Sequence, residues 1–371
     1  MKVLFDFGAI KSGGGAQLSL NFLEQLLTLD DCNEKIAIVV PEVGPIAESI
    51  LLRSFTHVLI SPDSYAKRLV FEYGQIPTAI RKLGIRKVFT FFGAGLPTPD
   101  DVESIVQVAY PIICYPDSLF WSHLSGMSAF RIRALNRLRI HRLKRASRII
   151  AETAVMQRRL CRVLGTTPDL IEVLPPAPSQ YVSPINHREQ SRVHKFLFVS
   201  GNSPHKNLWR LYAVAERLRH LGFDDFVFVL TVTRASYVRT LKETTIASAI
   251  LTTHFQFLGS VRPQEIMTAY EQADVVCSLS DLESFTNNYM EAWTVGLPLI
   301  VSDRDFAHCI CGDSALYVEP HNPADVAEKF FSLARDPNIR RSLMTSGRTK
   351  LNRLPTQAVR FQKILQLLEV I

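Results

Sequence analysis

Residues 278–303, SLSDLESFTNNYMEAWTVGLPLIVSD, pass from an apolar strand pattern through a polar loop and a short helix into a second apolar strand. The strands are DVVCSLS, at 274–280, and LPLIVSD, at 297–303. Asn287 or Asn288 can cap the helix between them, and Gly296 with Pro298 ends it. Glu283 falls in the loop and Glu291 in the first or second helical turn, eight residues on. Two acids at that spacing recur by chance, so their placement carries the reading. A loop carboxylate, the open amides of Phe285, Thr286 and Asn287 at a helix start, and a second carboxylate gather at one end of a sheet. Amides there bind a diphosphate, and an acid accepts the hydroxyl protons of a ribose or hexose.

An earlier juncture is built alike. SGNSPHKNLW, residues 200–209, joins the apolar run KFLFV to the helix pattern LYAVAERLRHL. Such a turn leaves backbone N–H groups without partners and aligned with the helix dipole, and Lys206 stands at its mouth. Two readings stay open at this level. The turn binds an anion, or it is an ordinary loop with Asn207 as N-cap and Lys206 in solvent.

Short runs rich in Val, Ile, Leu and Phe alternate with helical patterns along the whole chain. KVLFDF, KIAIVV, HVLI, KVFTF and RIIAE read as strands in the first half; KFLFVS, FVFVLTV, DVVCSLS, LPLIVSD and ALYV follow in the second. Continuous apolar strands separated by helices imply parallel sheets covered on both faces. The stretch LPPAPSQYVSPINHREQSRVH has four prolines and no periodicity, which marks a linker. The chain thus divides into an α/β half at 1–178, a linker at 179–194, a second α/β half at 195–352, and a terminal helix at 353–371 whose apolar stripe needs a docking surface, for which the first half is the candidate. In open sheets of this kind ligands lie beyond the carboxyl ends of the strands, so a cleft between the halves is the expected site.

At 371 residues the chain exceeds one ordinary core, and 47% hydrophobic with 21% charged residues fits a soluble globular protein. No apolar run reaches the roughly 18 residues of a membrane span. Asp6 interrupts MKVLFDFGAI too early for a secretory signal, so a cytosolic location is expected. Cysteines at 32, 114, 161, 277, 309 and 311 form no CxxC pair and read as reduced, buried thiols.

The net charge of +7 is uneven. Between Ser118 and Ala151 there is no Asp or Glu, while Arg131, Arg133, Arg137, Arg139, Arg142, Lys144, Arg145 and Arg148 are all cationic. Ile132, Leu135, Leu138, Leu143, Ala146 and Ile150 recur at helical spacing, which predicts one amphipathic helix with a basic face. That face is either solvated or drawn to an anionic membrane surface or acceptor, through 131–148. No aromatic residues interleave as a strand-stacking surface needs, so nucleic acid is not expected. DFGAIKSGGGAQLSL places Gly13, Gly14 and Gly15 ahead of a helix, where backbone can approach a bulky ligand. It is neither GxGxxG nor a P-loop, and a flexible turn is an equal reading.

The second half resembles the nucleotide-binding half of the retaining glycosyltransferases with two facing Rossmann-like domains, the GT-B architecture, family 4. The likeness is dense from 196 to about 345, in FLFVSGNSPHKNLWRLYAVAERL, in FQFLGSVRPQEIMTAYEQADVVCSLSDLESFTNNYMEAWTVGLPLIVSD and in GDSALYVEPHNPADVAEKFFSLARDP. The first half, with ASRIIAETAVMQRRLCRVLGTTPDLIEVLPPAPS, is similar more loosely. The resemblance implies that Lys206 holds the pyrophosphate of a UDP- or GDP-linked donor, Glu283 sits by the sugar and Glu291 grips the ribose. Ser284, Phe285, Thr286 and Asn287 would meet phosphate or sugar, and Gly13, Gly14 and Gly15 would face donor phosphate and acceptor. It also implies attack from the leaving-group face, with the phosphate helping to deprotonate the acceptor, and no essential metal or other cofactor.

Three departures stand out. Asn202 occupies a position where the family often has Arg, leaving His205 or a first-half Arg to supply the charge. Ser284, Phe285 and Thr286 replace Gly-Phe-Gly. IICYPDSLFW offers Tyr115 and Asp117 where a His is usual, which places those two near the acceptor. The DRD at 303–305 imitates a metal motif but reads as a surface loop, and the histidines show no HExxH spacing.

The sequence thus points to a glycosyltransferase that moves a hexose-type sugar from a nucleotide donor to a glycan or lipid-linked acceptor in surface polysaccharide assembly, peripheral on the inner membrane face. Its rivals are a sugar-nucleotide epimerase of the same fold, which would need no acceptor, and a non-catalytic scaffold that binds membrane or nucleic acid through its basic face, which would bind no nucleotide.

Overall fold

The computed structural model describes residues 2–11, 13–29, 32–185, 193–241 and 248–369. Two units divide it: the first is Met1–Pro116, Gly126–Ala177 and Pro355–Ile371, and the second is Asp117–Ser125 and Pro178–Leu354. Residues 186–192, the middle of the expected linker, lie outside the described residues.

In the first unit β1 (Lys2–Asp6), β2 (Ile36–Pro41), β3 (His57–Ser61), β4 (Ile85–Thr90), β5 (Glu103–Val108), β6 (Arg148–Ala151) and β7 (Ile171–Val173) form one sheet in the order β3-β2-β1-β4-β5-β6-β7. Every pairing is parallel. Phe5, Phe22, Phe91 and Phe361 are buried in one cluster, with Phe22 and Phe361 edge to face at 5.0 Å. Phe361 belongs to the helix Gln357–Leu367, which also buries Ile364 and Leu365. A fully buried Phe contributes about 1.5–3 kcal/mol, so this stripe fastens the terminal helix to the first unit.

In the second unit β8 (Lys195–Phe198), β9 (Val227–Leu230), β10 (Phe255–Phe257), β11 (Val275–Ser278), β12 (Leu299–Ser302) and β13 (Leu316–Val318) run parallel in the order β10-β9-β8-β11-β12-β13. Phe196 of β8 stacks on Phe330 of the helix Pro323–Arg335 at 4.7 Å. In both sheets the strand order reverses beside the first strand, at β1/β4 and at β8/β11, and such a reversal opens a crevice at the carboxyl ends.

The sequence pattern does not predict strands β5, β7 and β10. β5 carries Ser104 and Gln107 in buried positions, which breaks its apolar run, while β7 and β10 are three residues long.

The basic stretch is not one helix. The helix Gly126–Leu143 ends before Lys144, and Ile150 is a buried residue of β6. The sheet claims the later residues, because β6 buries Ile149, Ile150 and Ala151 between its neighbours. Several of the cations are also occupied: Arg142 pairs with Glu72 at 2.7 Å, Arg145 with Asp100 at 3.0 Å, and Arg139 lies over the Tyr110 ring. Gly13, at φ +71°, opens the helix Gly13–Leu26, so the three glycines form its first turn instead of a loop before it. Of the thiols, Cys114, Cys277 and Cys311 are buried and free, whereas Cys309 is exposed.

Candidate functional site

The loops leaving β8 and β11 bring Lys206 and Glu283 together. After β8 the chain makes a single turn of 3-10 helix, Pro204–Lys206, and then reverses at Asn207, which is buried at φ 57°. Asparagine is one of the few residues besides glycine that tolerates this left-handed conformation. Its side chain donates to Leu279 O at 2.9 Å and to Asp281 Oδ2 at 2.7 Å, both on the loop after β11. The Asp281 amide returns a bond to His205 O at 2.8 Å. Three hydrogen bonds thus tie one loop to the other, and the Lys206 ammonium forms an ion pair with Glu283 Oε1. Of the two readings left open by the sequence, the solvated Lys206 with Asn207 as N-cap does not hold, since the side chain of Asn207 makes no cap.

The helix Asn287–Val295 starts just beyond Glu283. Thr286 is its N-cap residue but makes no side-chain cap bond, and Asn288, which was read as a possible cap, instead donates to Val199 O at 2.6 Å. The N-cap side chain therefore satisfies none of the first-turn amides of this helix, and the Tyr289 amide bonds Thr286 O at 3.3 Å. Ser284 is buried, and Phe285, Thr286 and Asn287 are half-buried along the same turn. Glu291, buried on this helix, accepts from the hydroxyl of Tyr270 at 2.6 Å, and burial raises the pKa of its carboxyl. Glu291 sits one helix turn from Asn287, and its described bond is to Tyr270, outside the Lys206–Glu283 pair.

The remaining expected contacts fare differently. Asn202 spends its amide donor on Ser236, with O at 2.7 Å and Oγ at 3.2 Å. His205 is pushed down to about 4, first by burial and then by Lys206, so it is neutral near pH 7 and does not replace the missing Arg charge. Its ring lies edge-on to Phe120 at 5.6 Å. Tyr115 is buried in the first unit beneath Arg159, 3.9 Å from the ring centre, which removes it from a surface role. Asp117, two residues on, is exposed and belongs to the second unit. Gly13, Gly14 and Gly15 lie in the first unit, where Gly15 packs against Phe92.

Sequence reasoning missed the centre of this arrangement, Asp281. Its carboxylate, 1% exposed, receives Arg304 at 2.9 Å, His321 Nε2 at 2.7 Å and Asn207. Arg304 also grips Glu319 at 2.8 and 2.9 Å, whereas Asp303 and Asp305 of the DRD at 303–305 are exposed on either side of it, as the surface-loop reading expects. The signal was present in the acid two positions before Glu283, but its partners are remote in sequence. His123, Asp281 and His321 also set three ligand-type atoms within 4.8 Å of one another. Arg210 Nη2 lies 2.9 Å from His321 Nδ1. A guanidinium only donates, so Nδ1 accepts and the ring proton sits on Nε2, aimed at Asp281. That nitrogen offers no lone pair to a cation in this tautomer; it hydrogen-bonds Asp281, whose ion pair is with Arg304.

The family profile of glycosyl transferases, group 1, matches residues 183–350. Residues 183–350 are a group 1 glycosyl transferase domain. The chain is by that domain a glycosyltransferase, and its paired Rossmann-like units have the GT-B fold. Among solved structures, HepE from Anabaena, crystallised with UDP and glucose, is 13% identical with all of both chains covered and a TM-score of 0.69. A glycosyltransferase from Rickettsia africae is 17% identical over 99% of this chain and 97% of its own, at 0.70. WaaG, a glycosyltransferase of lipopolysaccharide biosynthesis, is 13% identical over 98% and 99%, at 0.72. At these identities the likeness is one of fold. No curated protein sequence matches the chain. Among the described residues of the transferase no helix is long and apolar enough to cross a membrane.

Proposed function

We propose that this transferase moves a hexose-type sugar from a UDP- or GDP-linked donor to an acceptor hydroxyl with retention of configuration. The observation that carries the reading is the Lys206–Glu283 ion pair at the carboxyl ends of β8 and β11, beside an uncapped helix start. Departure of a nucleoside diphosphate builds negative charge on phosphate and positive charge on the anomeric carbon. A fixed ammonium and backbone amides aimed at the phosphate favour that transition state without a metal. The donor's diphosphate takes Lys206 from Glu283, and the freed carboxylate accepts sugar hydroxyls. Glu291, steadied by Tyr270, accepts from the ribose. No protein base is assigned, because the leaving phosphate can take the acceptor proton.

The acceptor in this reading is a glycan or lipid-linked hydroxyl at an anionic membrane surface. The helix Gly126–Leu143 supports it: Met127 and Phe130 are 64% and 66% exposed beside exposed Arg131, Arg133 and Arg137. Apolar side chains among cations suit the headgroup boundary. The lipopolysaccharide role of WaaG supports the same acceptor class.

A thermal-shift panel of nucleoside diphosphates, with and without magnesium, tests the donor site. One nucleotide at about 100 times its Kd adds roughly 2.7 kcal/mol, a shift of several degrees. That shift is expected to persist without magnesium and to vanish in Lys206→Met. Donor alone turned into an epimer, or no nucleotide binding at all, would overturn the reading.

A further inference from the structure

We propose that Asp281 is the positioning residue of the donor site, holding the Lys206 turn and the Glu283 loop in one fixed relation; this rests on the donor-site reading of those two residues. Lys206 is bracketed by Asp281 on both sides. The Asp281 amide donates to the carbonyl of His205, the residue before Lys206, at 2.8 Å, and the Asp281 carboxylate accepts from Asn207, the residue after it, at 2.7 Å. Asp281 is also only two residues from Glu283, so one residue fixes the backbone that carries each partner.

Asp281 is itself immobilised. Oδ1 is held by Arg304, which is clamped by Glu319, and Oδ2 by His321, whose tautomer Arg210 sets. Ser118 Oγ reaches the Asp281 carbonyl at 3.4 Å, and His123 Nε2 stands 3.8 Å from Oδ2, beyond hydrogen-bond reach. A buried carboxylate with this many donors gains little over an apolar core for stability alone. Its geometric return is orientation. An ammonium that must meet a diphosphate and a carboxylate that must meet a sugar need mutual placement within about half an ångström.

The test uses the full chain with Asn207→Gly and Asp281→Asn, and Lys206→Met as reference. Binding is read by calorimetric titration with UDP and GDP, and turnover by nucleoside diphosphate release from UDP- and GDP-hexoses. Glycine adopts φ 57° freely, so N207G removes the two bonds donated to the β11 loop, together with the one its Oδ1 accepts from Arg210 Nε at 3.2 Å, and leaves the backbone path intact. Turnover at saturating donor is expected to fall about 10²-fold in N207G and D281N, with donor KM raised less than about tenfold and the far-UV spectrum unchanged. Turnover within about twofold of wild type in both variants, with K206M unable to bind diphosphate, overturns the positioning role alone. Unaltered diphosphate binding in K206M overturns the donor-site reading and the proposal with it. Loss of folding in D281N beside full turnover in N207G overturns the proposal too, since Asp281 would then serve stability only.

Discussion

The hydroxyl of Tyr270 donates to Oε2 of Glu291 at 2.6 Å, and burial raises the pKa of both groups. A carboxyl with a raised folded pKa supports folding fully below its unfolded value, and that support is lost as pH rises through the folded value. Glu291→Gln is therefore expected to melt higher than wild type at pH 8, with little gain at pH 4, while losing the nucleotide-induced shift. Tyr270→Phe leaves the acid with one donor fewer and should cost about 1–3 kcal/mol of stability. Melting curves at both pH values, with and without nucleotide, check each outcome.

Asp6 ends β1 at the strand reversal of the first unit, accepting from the Gly8 amide at 2.9 Å. Burial, against that bond, raises its pKa from 3.8 to about 6, and Glu72 adds to the rise. The folded chain holds the proton more tightly than the unfolded one, so stability falls as pH climbs between these values. Asp6→Asn keeps the acceptor for Gly8 and removes the charge. A gain of at most about 3 kcal/mol is expected at pH 8 and almost none at pH 3.5. Equal melting of the two proteins at pH 8 would refute it.

If the helix Gly126–Leu143 meets an anionic leaflet, each of Arg131, Arg133 and Arg137 adds about 1 kcal/mol to the attraction. Their joint replacement by Gln should weaken binding to phosphatidylglycerol vesicles roughly 100-fold at low salt, and 0.5 M salt should do the same to wild type. Co-sedimentation reads this directly, and equal pelleting of the variant rules the surface out.

Gly347 lies in the helix Pro337–Leu351, which packs against the helix that carries Glu291. A Cβ there would come within 2.4 Å of Trp293 Cδ1. An ordinary Gly-to-Ala change inside a helix gains about 0.5–1 kcal/mol, but overpacking costs about 1–3 kcal/mol, so the clash prevails. Gly347→Ala should lower the melting temperature by a few degrees and weaken nucleotide binding, because Trp293 and Glu291 share one helix. A melting point above wild type would show that Trp293 has room to move.

Much of the proposed donor site was legible from the chain because it is local. Glu283, the helix start and Glu291 lie within nine positions, where loop, helix start and spacing follow from residue type alone. The Lys206 turn showed itself through Gly, Asn and Pro at a strand end. Continuously buried apolar strands such as β2 and β12 were legible for the same reason, since uninterrupted burial leaves an uninterrupted pattern. β5 hid because the sheet tolerates a buried Gln107 once Arg360, from the far end of the chain, bonds it at 2.8 Å.

Sequence alone therefore determined the two parallel α/β halves, the candidates Lys206, Glu283 and Glu291, of which the first two meet at the loops after β8 and β11, and the excess of positive charge. Tertiary structure alone decided which groups answer which: Lys206 to Glu283, Tyr270 to Glu291, and Asn207, Arg304 and His321 to Asp281. The reason is the range of the forces. Backbone propensity and burial pattern act over a few residues and are written in order along the chain, whereas a buried charge takes its partners from whichever distant segments the packed sheet carries to it.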